Sequence, residues 1–283
     1  MSASEGTYPV RKLSIDFAAK SNRYWFKNRP FETHWFNALS FGIVPAERFA
    51  ISCIKDSLPL VQEETLKAEA RAFIGQESTH SFLHAKCNAE LERQGYRFFL
   101  HRYCEWRLSK AHWLSRLSGL ALTACWEHIT AIICEHTLSR FDIFKDAEDP
   151  FCALWTWHSA EELEHKCLAH DLYVGTAGGY PLKIGWLLYG TALFVTDFAT
   201  QTAHNMYRDG RLFDPRVWLG CLRYFFGRQG LFWFAFPRWL AFMHPRFHPG
   251  DVDNRALSAF ALEQLKTRLK VVGPPAASHG AAD

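Results

Sequence analysis

Two copies of one short motif, a glutamate followed three residues later by a histidine, constrain what this chain can fold into. The motifs are Glu77–His80 and Glu162–His165, and each lies in a long segment with helical periodicity. Residues three apart on a helix are about 60° apart around its axis, so each pair can bind a metal ion without bending the helix. One such motif is weak evidence, but two on separate helices favour a metal site.

Two further glutamates stand alone in apolar surroundings. Glu47 lies in FGIVPAERFAISCI, and Glu127 lies in LSGLALTACWEHITAIICE. Burying an unpaired carboxylate costs on the order of several kcal/mol, so both are expected to have a cation as partner. One Glu from each of two helices, with Glu-x-x-His from each of two others, is the ligand arrangement of di-iron and di-manganese bundles. The sequence therefore predicts an all-α, ferritin-like four-helix bundle with two metal ions between its helices.

Histidines on the same helical faces extend this set. His158 lies four residues before Glu162, which gives the spacing His-x-x-x-Glu-x-x-His and makes His158 a predicted seventh ligand. His84 lies four residues after His80, on the same face of its helix, and is a candidate ligand or a hydrogen-bond partner of one. His128 follows Glu127 directly and points about 100° away from it, which makes it a weaker candidate.

The segment around Glu162 contains competing acidic residues. Glu161 and Glu164 could also face inward, but Glu162 alone has the three-residue spacing to His165. Asp171 faces away from this stripe and is expected at the surface or at a helix end. The predicted ligands are Glu47, Glu77, His80, Glu127, His158, Glu162 and His165, and the candidate neighbours of these ligands are His84, His128 and Glu161.

The ligand types indicate which metals fit. Four carboxylates carry a charge of −4, which balances two divalent cations. Carboxylate and imidazole ligands suit iron and manganese and are tolerable for zinc. Two iron ions are therefore the expected cofactor, with manganese or zinc as alternatives.

Proline and glycine positions divide the chain into segments. Helices are expected from Pro45 to before Pro59 and over about 62–94, 111–140 and 150–175, with no strand of useful length. The expected organisation is an irregular arm over 1–30, a metal-binding bundle over 31–180, apolar C-terminal helices over 181–272 packed on the bundle, and a disordered tail over 273–283.

The C-terminal part is rich in aromatic residues, which make up 16% of the chain. The segments 183–200 and 217–243 are apolar nearly all round, but Asp197 in the first and Arg223 and Pro237 in the second interrupt them as membrane spans. Two interpretations remain. These helices are buried against the bundle, or the region 181–245 forms a surface that contacts a membrane or accepts an apolar substrate.

Composition excludes some classes of function. A net charge of +3 without a run of Lys or Arg argues against nucleic-acid binding. The eight cysteines lack the spacing of zinc fingers or of a disulfide framework, and the N-terminal segment has no apolar signal core. We therefore expect a cytoplasmic protein, with membrane association and a homodimer as open alternatives.

Several longer strings resemble a known family. They are NALS (37–40), PAERF (45–49), FIGQESTH (73–80), LTACWEHITA (122–131) and WTWHSAEELEHK (155–166), followed by Asp171. Over about residues 30–245 the chain resembles a bacterial family described as predicted metal-dependent hydrolases. This resemblance implies metal binding and a metal-dependent hydrolytic activity.

The ligand order alone resembles a second group. Ferritin-like di-iron N-oxygenases, which oxidise aryl amines to nitro compounds, have Glu, Glu-x-x-His, Glu and His-x-x-x-Glu-x-x-His in this order. The resemblance favours an O2-activating di-iron oxygenase that acts on a small aromatic amine or a lipid-like substrate and needs an electron donor. A two-metal hydrolase and a non-catalytic metal-binding bundle are the alternatives.

Overall fold

The computed structural model describes residues 8–18, 22–141, 143–146 and 149–272, so the predicted tail lies outside the described residues. The all-α class is confirmed. The α-helices in the described residues are α1 (Pro30–Ser57), α2 (Glu64–Arg93), α3 (His101–Ser109), α4 (Arg116–Phe141), α5 (Pro150–His165), α6 (Leu168–Gly175), α7 (Tyr180–Arg208), α8 (Pro215–Phe226), α9 (Leu231–Phe242) and α10 (Arg255–Glu263).

The first helix starts fifteen residues earlier than its sequence predicts. We expected it to begin at Pro45, but this proline lies inside α1, which begins at Pro30. An internal proline removes one backbone hydrogen bond and costs about 3 kcal/mol. The first half of α1 offsets this cost by burying Phe31, Trp35 and Phe36 in the core.

The helix expected over 150–175 is instead two helices, α5 and α6. Asp149 caps α5 by accepting hydrogen bonds from the backbone N–H groups of Phe151 and Cys152, at 2.9 and 3.2 Å. The break follows His165, where the Lys166 ammonium donates to the Val252 carbonyl and to the Asn254 side chain and so anchors the turn.

A two-stranded antiparallel sheet joins segments from near the two ends of the chain. Strand β1 (Arg11–Leu13) pairs with β2 (Leu269–Val271), with Arg11 opposite Val271. These two short strands were not predicted from the sequence. Three-residue strands are too short to produce a recognisable alternation of polar and apolar residues.

The N-terminal segment reaches the bundle through a close backbone approach at α2. A Cβ atom on Gly75 would lie 2.5 Å from Cγ2 of Val10, so glycine permits this contact. The Gln76 side-chain amide donates to the Pro9 carbonyl at 3.2 Å. These contacts place β1 against the helix that carries Glu77 and His80.

Helices α1, α2, α4 and α5 surround the predicted ligands, and α7 packs on α1 and α4. Helix α5 is central, since all of its residues except Glu164 are buried. Among the described residues, α4 alone is long and apolar enough to cross a membrane. In its most apolar stretch of 18 residues, 78% is buried inside the protein. Buried core helices often have this composition.

Candidate metal centre

The seven predicted ligands come together between four helices. One group contains Glu47 from α1, His80 from α2, and His158 and Glu162 from α5, whose ligand atoms all lie within 4.8 Å of one another. The second group contains Glu77 from α2, Glu127 from α4, and Glu162 and His165 from α5, within the same limit. Glu162 belongs to both groups, so it would be shared if each group held a metal ion.

The distances between individual ligand atoms fit this arrangement. His80 Nδ1 lies 3.6 Å from Glu162 Oε1 and 3.8 Å from Glu47 Oε1. His165 Nε2 lies 3.6 Å from both Glu162 Oε1 and Glu127 Oε2. Nitrogen and oxygen atoms bound to one metal at about 2.0–2.2 Å are separated by similar distances.

Unsatisfied polar atoms provide a direct test of whether the residues fit a metal. Six candidate ligand atoms are buried and form no hydrogen bond of regular geometry among the described residues, although two of them, His165 Nε2 and Glu77 Oε1, lie 2.9 Å apart as an ion pair. The six are Glu47 Oε1, Glu77 Oε1, Glu127 Oε2, His80 Nδ1, His158 Nδ1 and His165 Nε2. Buried polar atoms are nearly always satisfied in native proteins, so six orphans in one cluster indicate that a cation belongs there. The donor set, carboxylate oxygen and imidazole nitrogen, fits a divalent transition metal.

Two ligand histidines are held by hydrogen bonds on their outer sides. His80 Nε2 donates to Glu161 Oε2 at 3.1 Å, and His165 Nδ1 donates to Gln76 Oε1 at 3.0 Å. When each ring is neutral, these bonds place its proton on the outer nitrogen, so that His80 Nδ1 and His165 Nε2 face the cluster with a lone pair. Glu161, a candidate neighbour from the sequence, therefore contacts a predicted ligand directly.

Arg11 of β1 links these two outer contacts. Its guanidinium donates to Glu161 at 3.0 Å and to both oxygens of Glu164, at 2.7 and 3.0 Å. Gln76 donates in turn to Glu164 at 3.2 Å. Arg11, Glu161, Glu164 and Gln76 thus form one network that supports His80 and His165 from outside, and we call it the Arg11 network.

Two hydroxyl groups orient the carboxylates. Ser81 Oγ donates to Glu47 Oε2 at 2.6 Å, and Thr130 Oγ1 donates to Glu162 Oε2 at 3.1 Å. We did not predict these residues or Arg11, Gln76 and Glu164. Ser81 lies one position after His80, and Thr130 lies three positions after Glu127. This closeness to predicted ligands is the only sequence signal for their role.

The cluster shifts the pKa values of its acidic groups in opposite directions. Burial, followed by the nearby carboxylates, raises the pKa of Glu47 and of Glu127 well above the ordinary value. Burial also acts to raise the pKa of Glu162, but the imidazole groups of His165 and His80, each 3.6 Å from its Oε1, lower it well below that value. Glu162 is therefore the carboxylate of the cluster that stays ionised most readily.

The pKa values of the imidazole groups also shift in opposite directions. Burial opposes the charged form of His80 and His165, yet their carboxylate neighbours raise both pKa values well above the ordinary value. Burial and the neighbouring His80 lower the pKa of His158 to about 4. His158 is therefore a neutral imidazole at physiological pH, with a lone pair available to a metal.

His84 lies beside His158, with ring centroids 4.8 Å apart. Ser40 Oγ donates to Asn88, so His84 Nδ1 donates to Ser40 Oγ at 2.9 Å. This leaves the His84 Nε2 lone pair buried without a partner among the described residues. Burial, together with His158, lowers the pKa of His84 well below the ordinary value.

His128 does not join the cluster. Its Nε2 donates to the Arg238 carbonyl at 3.1 Å, and its ring stacks on Phe242 with centroids 4.7 Å apart. Burial, the largest of several effects, lowers its pKa to about 4. The rotation of about 100° between adjacent helical residues explains why His128 faces α9 while Glu127 faces the ligands.

Asp171 lies in a separate group with His170 and His248. The Gly250 N–H donates to His248 Nδ1 at 3.0 Å, so the proton of the neutral ring is on Nε2, which donates to Asp171 Oδ1 at 2.7 Å. This hydrogen bond occupies the ring nitrogen that would face a metal. The group therefore connects α6 to the segment before α10.

An apolar cavity of about 450 Å³ leads to the candidate metal centre. Its walls are mainly apolar and include the aromatic residues Trp126, Trp155, Trp186, Phe49 and Phe194. The buried lining includes His158, while the exposed lining includes Tyr103, Trp106 and Tyr189. The cavity thus connects the protein surface to one predicted ligand.

Comparison with known proteins agrees with these observations. A family described as predicted metal-dependent hydrolase matches residues 9–253. No curated protein and no solved structure matches the chain. The matched region contains all seven predicted ligands and the cavity. The chain therefore belongs to the predicted metal-dependent hydrolase family.

Proposed function

We propose that this protein is a two-metal enzyme that acts on an apolar substrate, and that hydrolysis is its first candidate reaction. The observation that carries the proposal is the pair of ligand groups that share Glu162, one of which reaches an apolar cavity through His158. Membership of the metal-dependent hydrolase family supports hydrolysis. The cavity supports an ester with an aromatic or aliphatic body as the substrate class.

Bound metal ions in such a site polarise the substrate and lower the pKa of bound water. The chain's residues supply the remaining functions. Glu162 spans the two ligand groups, and the Arg11 network holds the rings of His80 and His165 in place. The aromatic walls orient an apolar substrate and exclude bulk water, which strengthens the electrostatic interactions in the site.

A second candidate is an O2-activating oxygenase with two iron ions. The observation that favours it is the third imidazole, His158, which adds to four carboxylates and lies at the cavity. In sequence order, the ligand set is similar to that of di-iron N-oxygenases. An aromatic amine or a lipid-like compound would fit the same apolar walls.

One experiment on the full chain separates these reactions. Metal-free protein is loaded without oxygen with ferrous iron, manganese or zinc, and metals per chain are counted. Hydrolysis of aryl esters and O2 consumption on admission of air are then measured. Ester hydrolysis that requires metal and does not depend on O2 supports the hydrolase. O2 consumption by the iron form, without ester hydrolysis, would reject the hydrolase in favour of the oxygenase. Bound metal without either activity would reject both.

The ligand assignment has a matched control on one helix. We expect Glu77→Gln to reduce the metal content, whereas Glu92→Gln, at an exposed position of α2, retains it. Equal metal content in the two variants would contradict the assignment of Glu77.

A further inference from the structure

Helices α8 and α9 expose an unusual amount of apolar surface. Trp218, Leu222 and Phe226 of α8 and Phe232, Trp233 and Phe236 of α9 are between 39% and 60% exposed. In α8, only Val217 and Tyr224 are buried. Contiguous exposed apolar patches of more than a few hundred Å² are rare on soluble monomers and mark interaction surfaces.

The exposed side chains form a continuous surface. Ring centroids of Phe226 and Phe232, and of Phe232 and Phe236, are each 5.4 Å apart. Phe236 stacks on Trp239, whose indole N–H donates to Thr191 Oγ1 of α7 at 2.9 Å. The surface therefore continues from α8 through α9 to α7.

On α7 the surface meets the rim of the cavity. Leu188, Tyr189 and Val195 are each at least half exposed. Tyr189 also lines the cavity that leads to the candidate metal centre. We call the exposed sides of α7, α8 and α9 the docking face.

The charge of this region identifies its partner. No acidic residue occurs in the sequence from Pro215 to Gly250, while Arg216, Arg223 and Arg228 are exposed. In a symmetric contact with a second copy of the chain, these arginines would approach the same arginines of the other copy, and the like charges would repel. The phosphate and carboxylate groups of anionic lipids complement them, and tryptophans are typical of the layer between headgroups and acyl chains.

We propose that the docking face binds the surface of an anionic lipid bilayer. The aromatic side chains enter the headgroup layer, and the arginines contact the anionic headgroups. The rim of the cavity then lies beside the lipid surface. This inference does not depend on the reaction at the metal centre, and binding can be measured without turnover.

Vesicle flotation with the full chain tests the proposal. We expect binding to vesicles of phosphatidylcholine with phosphatidylserine, weaker binding to phosphatidylcholine alone, and weakening by added salt. Arg223→Gln should weaken binding to the anionic vesicles by about fivefold, as expected for one arginine near such a surface. Equal binding to both vesicle types would overturn the anionic part of the proposal.

The aromatic contribution has its own test. Trp233→Glu should abolish vesicle binding, whereas Phe82→Glu on α2, where the side chain is 58% exposed, should leave it unchanged. Both sites are exposed, and circular dichroism checks that each variant is folded. Absence of vesicle binding by the unmodified protein overturns the proposal. So does a dimer that Trp233→Glu dissociates without lipid, since a second copy would then cover the face.

Discussion

Arg11 supports two of the three predicted histidine ligands, His80 and His165, although it lies 150 positions before Glu161 in the chain. It forms a bidentate pair with Glu164, and it shares Glu161 with His80. Lysine could not reproduce this geometry, because its ammonium group is a single point of charge.

We expect Arg11→Ala to weaken metal binding by about 10- to 100-fold, the usual effect of losing a partner that orients a ligand. Competition with a chelator of known affinity measures the change. Arg71→Ala provides the control, since Arg71 is exposed on α2. Unchanged metal affinity in Arg11→Ala would show that the network stabilises the fold without orienting the ligands.

The pKa shifts predict that metal binding releases protons. Four side chains of the cluster have raised pKa values: Glu47, Glu127, His80 and His165. In the metal-free protein they therefore retain their protons to higher pH than free side chains do. A metal must displace these protons, so its affinity should rise as the pH increases.

Calorimetric titration in two buffers with different ionisation enthalpies measures the number of protons released. Glu162 should contribute little, because its lowered pKa leaves it ionised. An affinity that does not change between about pH 6 and 8 would contradict the prediction.

The sequence predicts the candidate ligands but not the residues that contact them. Spacing on a helix indicates Glu162 and His165, and apolar context indicates Glu127, because both signals are local in sequence. Arg11 could not be found in this way, since its contact depends on how distant segments pack. Glu164 appeared as a competitor of Glu162 and instead faces the Arg11 network on the other side of α5.

At the scale of elements, the packing of α7 on α4 depends on a glycine. A Cβ atom on Gly190 would lie 2.9 Å from Leu122 Cδ1 and 3.1 Å from Cys125 Sγ. Gly185, one and a half turns earlier on the same helix, has nothing within 4 Å of the same position.

We expect Gly190→Ala to lower the free energy of unfolding by about 1–3 kcal/mol, the usual cost of overpacking. Gly185→Ala should instead raise it by about 0.5–1 kcal/mol, because alanine is the better helix former. Urea unfolding of both variants measures the difference. Equal effects of the two substitutions would show that α7 can shift away from α4 at low cost.

The two helix boundaries that were predicted wrongly, at the start of α1 and at the end of α5, share one cause, which is tertiary packing. Pro45 is a valid start signal for a helix, but the buried aromatic residues before it extend α1. The break between α5 and α6 depends on contacts of Lys166 with Val252 and Asn254. No local pattern around position 166 contains this information.

At the scale of the whole molecule, the metal centre concentrates buried charge where four helices meet. Glu47, Glu77, Glu127 and Glu162 are all buried in one cluster. Without cations their mutual repulsion and desolvation oppose folding, and bound metals reverse this effect. The all-α class follows from these patterns, since the ligands must come from long helical segments.

We expect a chelator to lower the thermal unfolding midpoint and the metal to restore it. A metal at 100 times its dissociation constant stabilises a protein by about 2.7 kcal/mol per site. Glu162→Gln should unfold at the same temperature with and without the chelator. If the chelator does not change the unfolding midpoint of the unmodified protein, metal binding in the folded core is contradicted.

The pairing of β1 with β2 makes the metal centre sensitive to events far away in the sequence. Arg11 stands opposite Val271, so the strand that positions the arginine is itself held by residues near the other end of the chain. Cleavage before Leu269, or a bulky purification tag that displaces this strand, should reduce metal occupancy while leaving every ligand intact. The ratio of metal to protein would then serve as a quality assay for preparations of the full chain.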